Sequence, residues 1–359
     1  MRDRDPFPRA CARAPVRVDP AGGGTDAPPF SIEHGGTVVN FAVARHAYAT
    51  VQRLAAGRGV VIYSEDLGHG VAAPSTASLP GGECEFLEAF VRRLVPPGES
   101  VLVVTESDVP AGSGLGGSGA LGVAVTAALD RAYGRERSPR ETAALANEIE
   151  RKDLGYPGGD QDSYGAALGG INRLEYPRGG GTRPHRIEVD REVRLALEQH
   201  SLLIYTGEAR VSGNVHRDIK ESYALAESPT VDAMRCLREA ARSMGRALEE
   251  GDIDSYVGAL NESCRNLYRL HPSCDSEAHR RMFAALAGSI RGGKTCGAGG
   301  GGFLLVHAET GRRRDAIRRA EELGALVWPV RIDFDGVSAW EERPLTPAEI
   351  ERYARLATE

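Results

Sequence analysis

The residues from Pro110 to Gly119 carry the clearest chemical signal in this sequence. They follow a β-branched run at 101–105 and lead into small apolar residues at 120–129. A strand, a glycine-rich loop and a helix start, in that order, direct backbone N–H groups and the positive end of a helix dipole towards one point. The pattern favours a nucleotide phosphate site over a flexible surface loop. The expected binding residues are Pro110, Gly112, Ser113, Gly114, Leu115, Gly116, Gly117, Ser118 and Gly119.

The elements that must hold this loop form an α+β pattern. Residues 13–61 read as mostly β, with the clearest strand at 37–43. Ser138 and Glu141 form a capping box, so a helix should run from there to about residue 153. Glycines at 179–181 indicate a hairpin tip. Periodicity and chain breakers predict further helices at 83–94, 231–250, 253–269, 276–289 and 312–323, and further strands at 201–205, 303–306 and in a pair near 326–340.

Composition and charge limit the class of protein. The chain has 359 residues and a net charge of −6, which argues against nucleic acid or an anionic membrane as the main partner. Its six cysteines show no CxxC pair and no zinc spacing, so they read as reduced thiols. No apolar run reaches transmembrane length, and the first residues lack a signal-peptide core. We therefore expect a cytoplasmic protein with a small-molecule partner, either a monomer or a homodimer.

Two other glycine-rich segments match nucleotide-binding patterns in the wrong context. Residues 288–295 satisfy the Walker A pattern GxxxxGK[ST], which needs a strand before it and a helix after it. Here a helical pattern precedes the segment, and a glycine run and a strand follow it. Residues 297–302 fit GxGxxG but run into a strand, so a dinucleotide-binding interpretation also fails.

Three segments in order resemble the signature motifs of the GHMP kinases, the superfamily that includes galactokinase and mevalonate kinase. Residues 17–26 resemble the motif that contacts substrate, 110–120 resemble the phosphate loop, and 294–303 resemble a glycine loop that packs against it. The resemblance implies an ATP-dependent kinase with a two-domain α+β fold. Its N-terminal domain would be ribosomal-protein-S5-like, and its C-terminal domain ferredoxin-like.

Within the superfamily, two patterns are similar to D-glycero-D-manno-heptose 7-phosphate kinases and the fucokinase-like branch. One is the triple glycine at 22–24 followed by Thr-Asp, and the other is the stretch 159–164. Asp160 stands where those kinases commonly have lysine, and Ser163 stands where glutamine is usual. Since the first change reverses a charge beside the active site, the resemblance leaves the exact acceptor open.

The resemblance also implies roles for single residues. Asp162 would accept or orient the proton of the acceptor hydroxyl. Arg17 would stabilise the negative charge that develops during transfer. Ser118 and Glu150 would bind Mg²⁺, which needs few protein oxygens besides those of the phosphates. Glu148 is the competitor for this role, but only one of the two glutamates can face the metal because they point to different sides of the helix.

Substrate contacts are expected from the first motif, because short polar side chains on a rigid loop suit sugar hydroxyls. A second phosphate on the substrate would need a cation, although each candidate reads more simply as a surface charge. The expected sugar-binding residues are Gly24, Thr25 and Asp26, and the candidate phosphate partners are Arg210, Lys152 and Arg173.

The sequence therefore predicts an ATP- and Mg²⁺-dependent kinase acting on the anomeric hydroxyl of a heptose 7-phosphate or a related higher sugar phosphate. A fucose- or galactose-type sugar 1-kinase and a non-catalytic sensor of ATP and sugar are the alternatives. An isoprenoid-branch decarboxylase is disfavoured by the triple-glycine loop. The expected organisation is a disordered tail at 1–10, an ATP-binding catalytic domain at 11–195 and a C-terminal domain at 196–359.

Overall fold

The computed structural model describes residues 7–208, 212–225 and 229–358, and the chain forms two β-sheets covered by helices. None of the helices in these ranges is both long and apolar enough to cross a bilayer. The strands are β1 (Arg9–Ala21), β2 (Gly36–Leu54), β3 (Val60–Ser64), β4 (His69–Ala73), β5 (Ser100–Ser107), β6 (Ile171–Tyr176), β7 (Arg183–Arg186), β8 (Ser201–Tyr205), β9 (Ile290–Thr295), β10 (Phe303–Ala308), β11 (Leu326–Pro329) and β12 (Ser338–Glu342).

The helices cover the sheets and connect them. The longest are in the C-terminal half, where α8 and α9 pack against each other. The helices are α1 (Phe30–His34), α2 (Glu85–Leu94), α3 (Gly117–Ala132), α4 (Pro139–Glu148), α5 (Gln161–Leu168), α6 (Arg191–His200), α7 (Ser212–Ala224), α8 (Pro229–Glu250), α9 (Ile253–Leu270), α10 (Glu277–Leu286), α11 (Arg313–Glu322) and α12 (Pro347–Leu356).

The first sheet contains eight strands in the order β12-β1-β2-β5-β3-β4, and β6 pairs with the first part of β2 and with β7. Its neighbours are antiparallel except β3 and β5, which run parallel. The second sheet, β11-β8-β10-β9, is antiparallel throughout. Both sheets bury alternating apolar residues under helices, which is the arrangement expected of an α+β fold.

Helix α3 is central because it packs on β1 and β2 and also against α2, α4 and α5. Its small residues allow this close packing. A Cβ at Gly122 would lie 2.6 Å from Cζ of Phe90 in α2. The start of α3, where the glycine loop ends, is therefore held rigidly against the strand that carries Arg17.

The predicted helix at the capping box is confirmed. Ser138 Oγ accepts a hydrogen bond from the Glu141 N–H, and the Glu141 carboxylate accepts one from the Ser138 N–H. After α4 the chain continues through one wider π-helical turn, Ile149–Asp153, before it breaks. The hairpin tip near 180 is also confirmed, because β6 and β7 pair antiparallel around it.

Three expectations about organisation are corrected. The tail at 1–10 is not wholly disordered, because Arg9 and Ala10 already belong to β1 and pair with β12; residues 1–6 lie outside the described ranges. The strand pair near 326–340 does not exist as a pair, since β11 joins β8 and β12 joins β1. The boundary at 195 falls inside α6, and β12 and α12 return to the first sheet. All three depend on contacts between residues far apart in sequence.

Candidate active site

The loop at 110–119 turns through left-handed glycines before it enters α3. Gly112, Gly114 and Gly116 have φ values of 70°, 80° and 70°, a region that side chains rarely adopt. Gly116 is the residue before the first turn of α3, so the free N–H groups of that turn point out of the loop. The loop lines a cavity of about 610 Å³. This geometry suits the phosphates of a nucleotide.

The later glycine segment, 297–302, packs directly on this loop. The Phe303 N–H donates to the Ser113 carbonyl at 2.9 Å. A Cβ at Gly302 would lie 2.3 Å from the Ser113 oxygen, and a Cβ at Gly114 would lie 2.6 Å from the Cys296 oxygen. The glycines at this contact are required because two backbones meet there without room for side chains.

Two of the expected loop ligands do not reach the cavity. The Leu115 side chain is fully buried in the apolar core, although its carbonyl accepts the Arg17 N–H at 2.9 Å. Gly119 faces α5 instead, where a Cβ would lie 2.5 Å from Cβ of Asp162. Both residues shape the loop from behind. The seven others line the cavity: Pro110, Gly112, Ser113, Gly114, Gly116, Gly117 and Ser118.

Arg17 and Asp162 form a close ion pair beside the loop. Arg17 Nε donates to Asp162 Oδ1 at 2.8 Å, Nη2 lies 2.6 Å from the same oxygen, and Nη1 donates to the Gly114 carbonyl at 2.7 Å. Burial alone would lower the pKa of Arg17, but the charges of Asp162 and Asp19 raise it above its usual value. The guanidinium therefore stays cationic and holds the carboxylate against the loop.

Ser118 and Glu150 meet at the start of α3. Ser118 Oγ lies 3.3 Å from Glu150 Oε1, and both residues line the cavity. Burial, followed by the charge of Asp162, raises the pKa of Glu150 to about 7. Glu148 points to the surface and pairs with Arg93 instead.

A hydroxyl and a carboxylate are hard oxygen donors and fit Mg²⁺ that is also bound by phosphate oxygens. Within the described ranges there is no group of three or more His, Cys, Asp or Glu side chains that could hold a metal by itself. The donor set therefore fits an ion that arrives with a nucleotide, not one caged by the protein.

Asp26 lies near Asp162 and packs against the segment 159–161. It is 5% exposed, and its carboxylate accepts hydrogen bonds from the N–H groups of Gly24, at 3.1 Å, and Gln161, at 3.4 Å. Burial, followed by the charges of Asp160 and Asp162, raises the pKa of Asp26 to about 7. A carboxyl with this pKa can accept or donate a hydrogen bond near neutral pH.

Thr25 does not face the cavity, contrary to the expectation. It is fully buried, its hydroxyl donates to the carbonyls of Gly22 and Thr37, and it accepts the Thr37 N–H. Thr25 therefore fixes the first loop to β2. Arg210 lies outside the described residues. Lys152 and Arg173 are paired with Glu148 and Glu249, and neither of them lines the cavity.

An ion pair that sequence reasoning missed joins the two outer motifs. Lys294 Nζ lies 3.1 Å from Asp19 Oδ2, and the Gly297 N–H donates to Asp19 Oδ1 at 2.8 Å. The two side chains are 1% and 0% exposed. A signal was available, because an aspartate inside a strand of buried residues requires a partner. The pair locks the glycine segment beneath the phosphate loop.

Besides the glycine loop and the Arg17–Asp162 pair, the cavity is lined by two chemically different groups of residues, which we call its apolar end and its polar end. One end is apolar, and there the rings of Phe86 and Tyr156 stack with centroids 6.5 Å apart. It fits a flat base. The other end holds Asp26, Gly24 and side chains from α5, α7 and α9, and it fits a polar acceptor molecule. Its residues that the sequence did not indicate include Gln161, His216, Ile219, Leu267 and Leu270.

Comparison with known proteins agrees with this geometry. Residues 84–170 match the family described as GHMP kinases N terminal domain. The chain is 27% identical to D-glycero-alpha-D-manno-heptose 7-phosphate kinase of Campylobacter jejuni, over 91% of this chain and 98% of that protein. It is also 27% identical to the bifunctional fucokinase/GDP-fucose pyrophosphorylase of Arabidopsis thaliana, over 88% of this chain and 31% of that protein.

A solved structure extends the match to the whole fold. The D-glycero-D-manno-heptose 1-phosphate kinase from Bacteroides thetaiotaomicron aligns with a TM-score of 0.77 at 27% identity, covering 93% of this chain and 99% of the other. Kinases of this kind are phosphotransferases with an alcohol group as acceptor, and they imply ATP as the donor. Residues 84–170 therefore match the GHMP kinase family, and the chain resembles heptose kinases in sequence and fold over nearly its whole length.

Proposed function

We propose that this kinase phosphorylates the anomeric hydroxyl of a sugar, with a heptose 7-phosphate or a related higher sugar phosphate as the leading acceptor. The observation that carries this proposal is the Arg17–Asp162 pair, which contacts the phosphate loop and lines the same cavity as Asp26. The similarity to the Campylobacter heptose kinase supports the leading acceptor. A fucose- or galactose-type sugar 1-kinase is the second candidate, which the similarity to the Arabidopsis fucokinase supports.

Asp162 would accept the proton of the acceptor hydroxyl as the oxygen attacks the phosphoryl group. Arg17 keeps the carboxylate oriented through two nitrogens and leaves its second oxygen for the substrate. The Arg17 side chain is only 5% exposed, whereas Asp162 is 28% exposed, so the carboxylate remains accessible from the cavity while its partner is fixed in the protein. Positioning of this kind supplies much of the rate in phosphoryl transfer, where little covalent help is needed.

The loop would hold the donor phosphates through its backbone N–H groups, and the apolar end would hold the adenine. Ser118 and Glu150 would bind Mg²⁺, which neutralises phosphate charge when it is bound. Asp26 and the backbone at Gly24 would bind sugar hydroxyls. Asp160 accepts a hydrogen bond from Thr182, and its charge raises the pKa of Asp26. Asp160 stands where related kinases commonly have lysine, and this reversal of charge would therefore affect the acceptor through Asp26.

The proposal is tested with purified protein, ATP, Mg²⁺ and a panel of phosphorylated and unphosphorylated sugars. We expect ADP release with one sugar class and a phosphorus NMR signal from an anomeric phosphate. Binding of ATP and a sugar without ADP release would favour the sensor alternative. Phosphate at another carbon would contradict the anomeric assignment. The same proposal places the protein in the cytoplasm, with ATP available and its thiols reduced.

A further inference from the structure

The cavity contains a cation that the mechanism does not use. Two arginines line it within the described residues, Arg17 and Arg151. Arg17 is committed to Asp162, whereas Arg151 has no ion pair with any carboxylate of the described chain. Its one hydrogen bond runs from Nη1 to the Tyr156 carbonyl, at 2.8 Å. A guanidinium has five N–H donors, so most of its capacity remains for a ligand.

His216 converges on the same point from the other side of the cavity. It belongs to α7, lines the cavity and makes no hydrogen bond or ion pair within the described ranges. Gly158 lies between the two side chains. A Cβ there would lie 3.3 Å from Arg151 Nη1 and 3.6 Å from His216 Nε2. A guanidinium, an imidazole and a glycine backbone thus surround one small space.

This space lies on the acceptor side of the site. Gly158 is followed by Gly159, which packs so closely on Asp26 that a Cβ would lie 1.6 Å from Asp26 Oδ2. The glycine loop for the donor contacts the Arg17–Asp162 pair itself, since a Cβ at Gly116 would lie 3.1 Å from both of these side chains. A molecule held by Asp26 would therefore extend towards Arg151 and His216.

We infer that Arg151, His216 and the backbone of Gly158 form a subsite for the phosphate group of a phosphorylated acceptor. The inference rests on the proposed function. It favours sugar phosphates over unphosphorylated sugars as the acceptor. Arginine matches a phosphate through paired N–H donors, and charge-assisted bonds of this kind are stronger than neutral ones. Burial lowers the pKa of His216, which favours the neutral imidazole, and its ring N–H can be donated to an oxyanion. The charge of Arg151 acts on Glu150 and Asp160 from a distance, and a phosphate would give it a directly bonded counter-ion.

The test compares heptose 7-phosphate with unphosphorylated heptose in the ADP-release assay. We define the ratio as kcat/KM for heptose 7-phosphate divided by kcat/KM for unphosphorylated heptose. In Arg151→Gln, we expect this ratio to fall about tenfold or more, because KM for heptose 7-phosphate rises. His216→Gln should lower the ratio less, and Arg151→Lys should restore part of it because the charge returns. Lys152→Gln is the matched control. It removes the neighbouring charge, which pairs with Glu148 on the surface, and should leave the ratio unchanged.

Equal losses with both acceptors, or a rise in KM for ATP alone, would overturn the subsite and assign Arg151 to the donor phosphates. Calorimetric titration of heptose 7-phosphate into the enzyme without ATP separates this inference from the proposed function. Binding that depends on Arg151 but yields no turnover would contradict the kinase reaction and keep the subsite. Turnover unaffected by Arg151→Gln would keep the reaction and reject the subsite.

Discussion

Residues 110–119 and 288–295 both carry glycines and a hydroxyl residue in patterns that nucleotide-binding proteins use for phosphate, yet the chain folds them in opposite ways. The first segment follows β5, turns through left-handed glycines and opens α3 at the cavity. In the second, residues 290–295 are strand β9, with Lys294 and Thr295 fully inside the protein. Strand β9 lies at the edge of the second sheet, and the N–H of Gly293 donates to Asn261 Oδ1 at 3.1 Å. Its backbone is therefore extended and paired with β10, and it does not turn its N–H groups towards one point as a phosphate loop does.

The difference extends to the side chains that would have bound phosphate and metal. Ser118 is exposed beside Glu150, whereas Thr295 Oγ1 is held by the Tyr268 hydroxyl at 2.7 Å and by His279 Nδ1 at 3.2 Å. Lys294 neutralises Asp19 and cannot reach a nucleotide. A phosphate-binding motif can therefore bind phosphate or metal only when the surrounding structure leaves its N–H, hydroxyl and ammonium groups available.

The largest effect should come from the carboxylate beside the first segment. Asp162→Asn keeps an acceptor for Arg17 but cannot take a proton, so kcat should fall by about 10² to 10⁴-fold. ATP affinity, measured by calorimetry, should stay close to the wild-type value. Glu148→Gln is the control, because that carboxylate pairs with Arg93 at the surface. Normal turnover of Asp162→Asn would remove this residue from the chemistry.

Lys294→Met should affect stability and not nucleotide binding. It leaves Asp19 buried without a countercharge, which costs about 3 to 5 kcal/mol of unfolding free energy. Asp19→Asn combined with Lys294→Met should recover most of that loss in urea denaturation. A P-loop lysine would behave in the opposite way, with ATP affinity lost and unfolding unchanged, and that result would reverse the comparison.

Ser118 and Thr295 are the hydroxyl residues of the two segments, and their alanine variants can be compared directly. Ser118→Ala should raise the Mg²⁺ concentration needed for half-maximal activity by about tenfold, because one proposed oxygen ligand is lost. Thr295→Ala should leave the Mg²⁺ requirement unchanged and cost about 1 to 3 kcal/mol in stability, since its buried partners lose a bond. Equal Mg²⁺ titrations for Ser118→Ala and wild type would remove Ser118 from the metal site.

The smallest effect should be a pH dependence of the unfolding free energy that comes from Glu150, the carboxylate beside Ser118. The pKa of Glu150 is raised from 4.5 to about 7 in the folded chain, so folded protein keeps a proton that unfolded protein loses as the pH rises through this window. Unfolding free energy should therefore fall from pH 5 to pH 8. Glu150→Gln cannot ionise and should raise Tm at pH 8 by about 2 to 4 °C without raising it at pH 5. Asp26 contributes a slope of the same sign, so part of the dependence remains. Parallel Tm curves would contradict the buried setting of Glu150.

Elements with strong local signals could be predicted, and those defined by distant pairing could not. The capping box at Ser138 and the apolar run at 201–205 are local, and the structure contains both elements. Helix α12 was missed although Thr346 and Glu349 form the same kind of capping box. The pairing of β12 with β1 joins the two ends of the chain, and no periodicity within either strand indicates its partner.

The candidate site divides in the same way. Asp162, Glu150, Ser118 and Arg17 were indicated by motif order, and the fold brings them together on one cavity. Thr25 belongs to the same motif as Asp26, but the loop turns its hydroxyl inwards to β2. Arg151 and His216 carry no local signal, because lone charged residues on helices are usually solvated. Their proximity arises only because the fold places α7 beside Gly158.

The sequence alone determined the type of chemistry, because a strand, a glycine loop and a helix start, with two other motifs in order, define a phosphate site through local backbone geometry. The tertiary structure decided which of two phosphate-like patterns is exposed, which carboxylate faces which charge, and which cation lines the cavity without an ion pair among the described residues. Those properties depend on burial and on pairing between residues more than a hundred positions apart, such as Arg17 with Asp162 and Asp19 with Lys294.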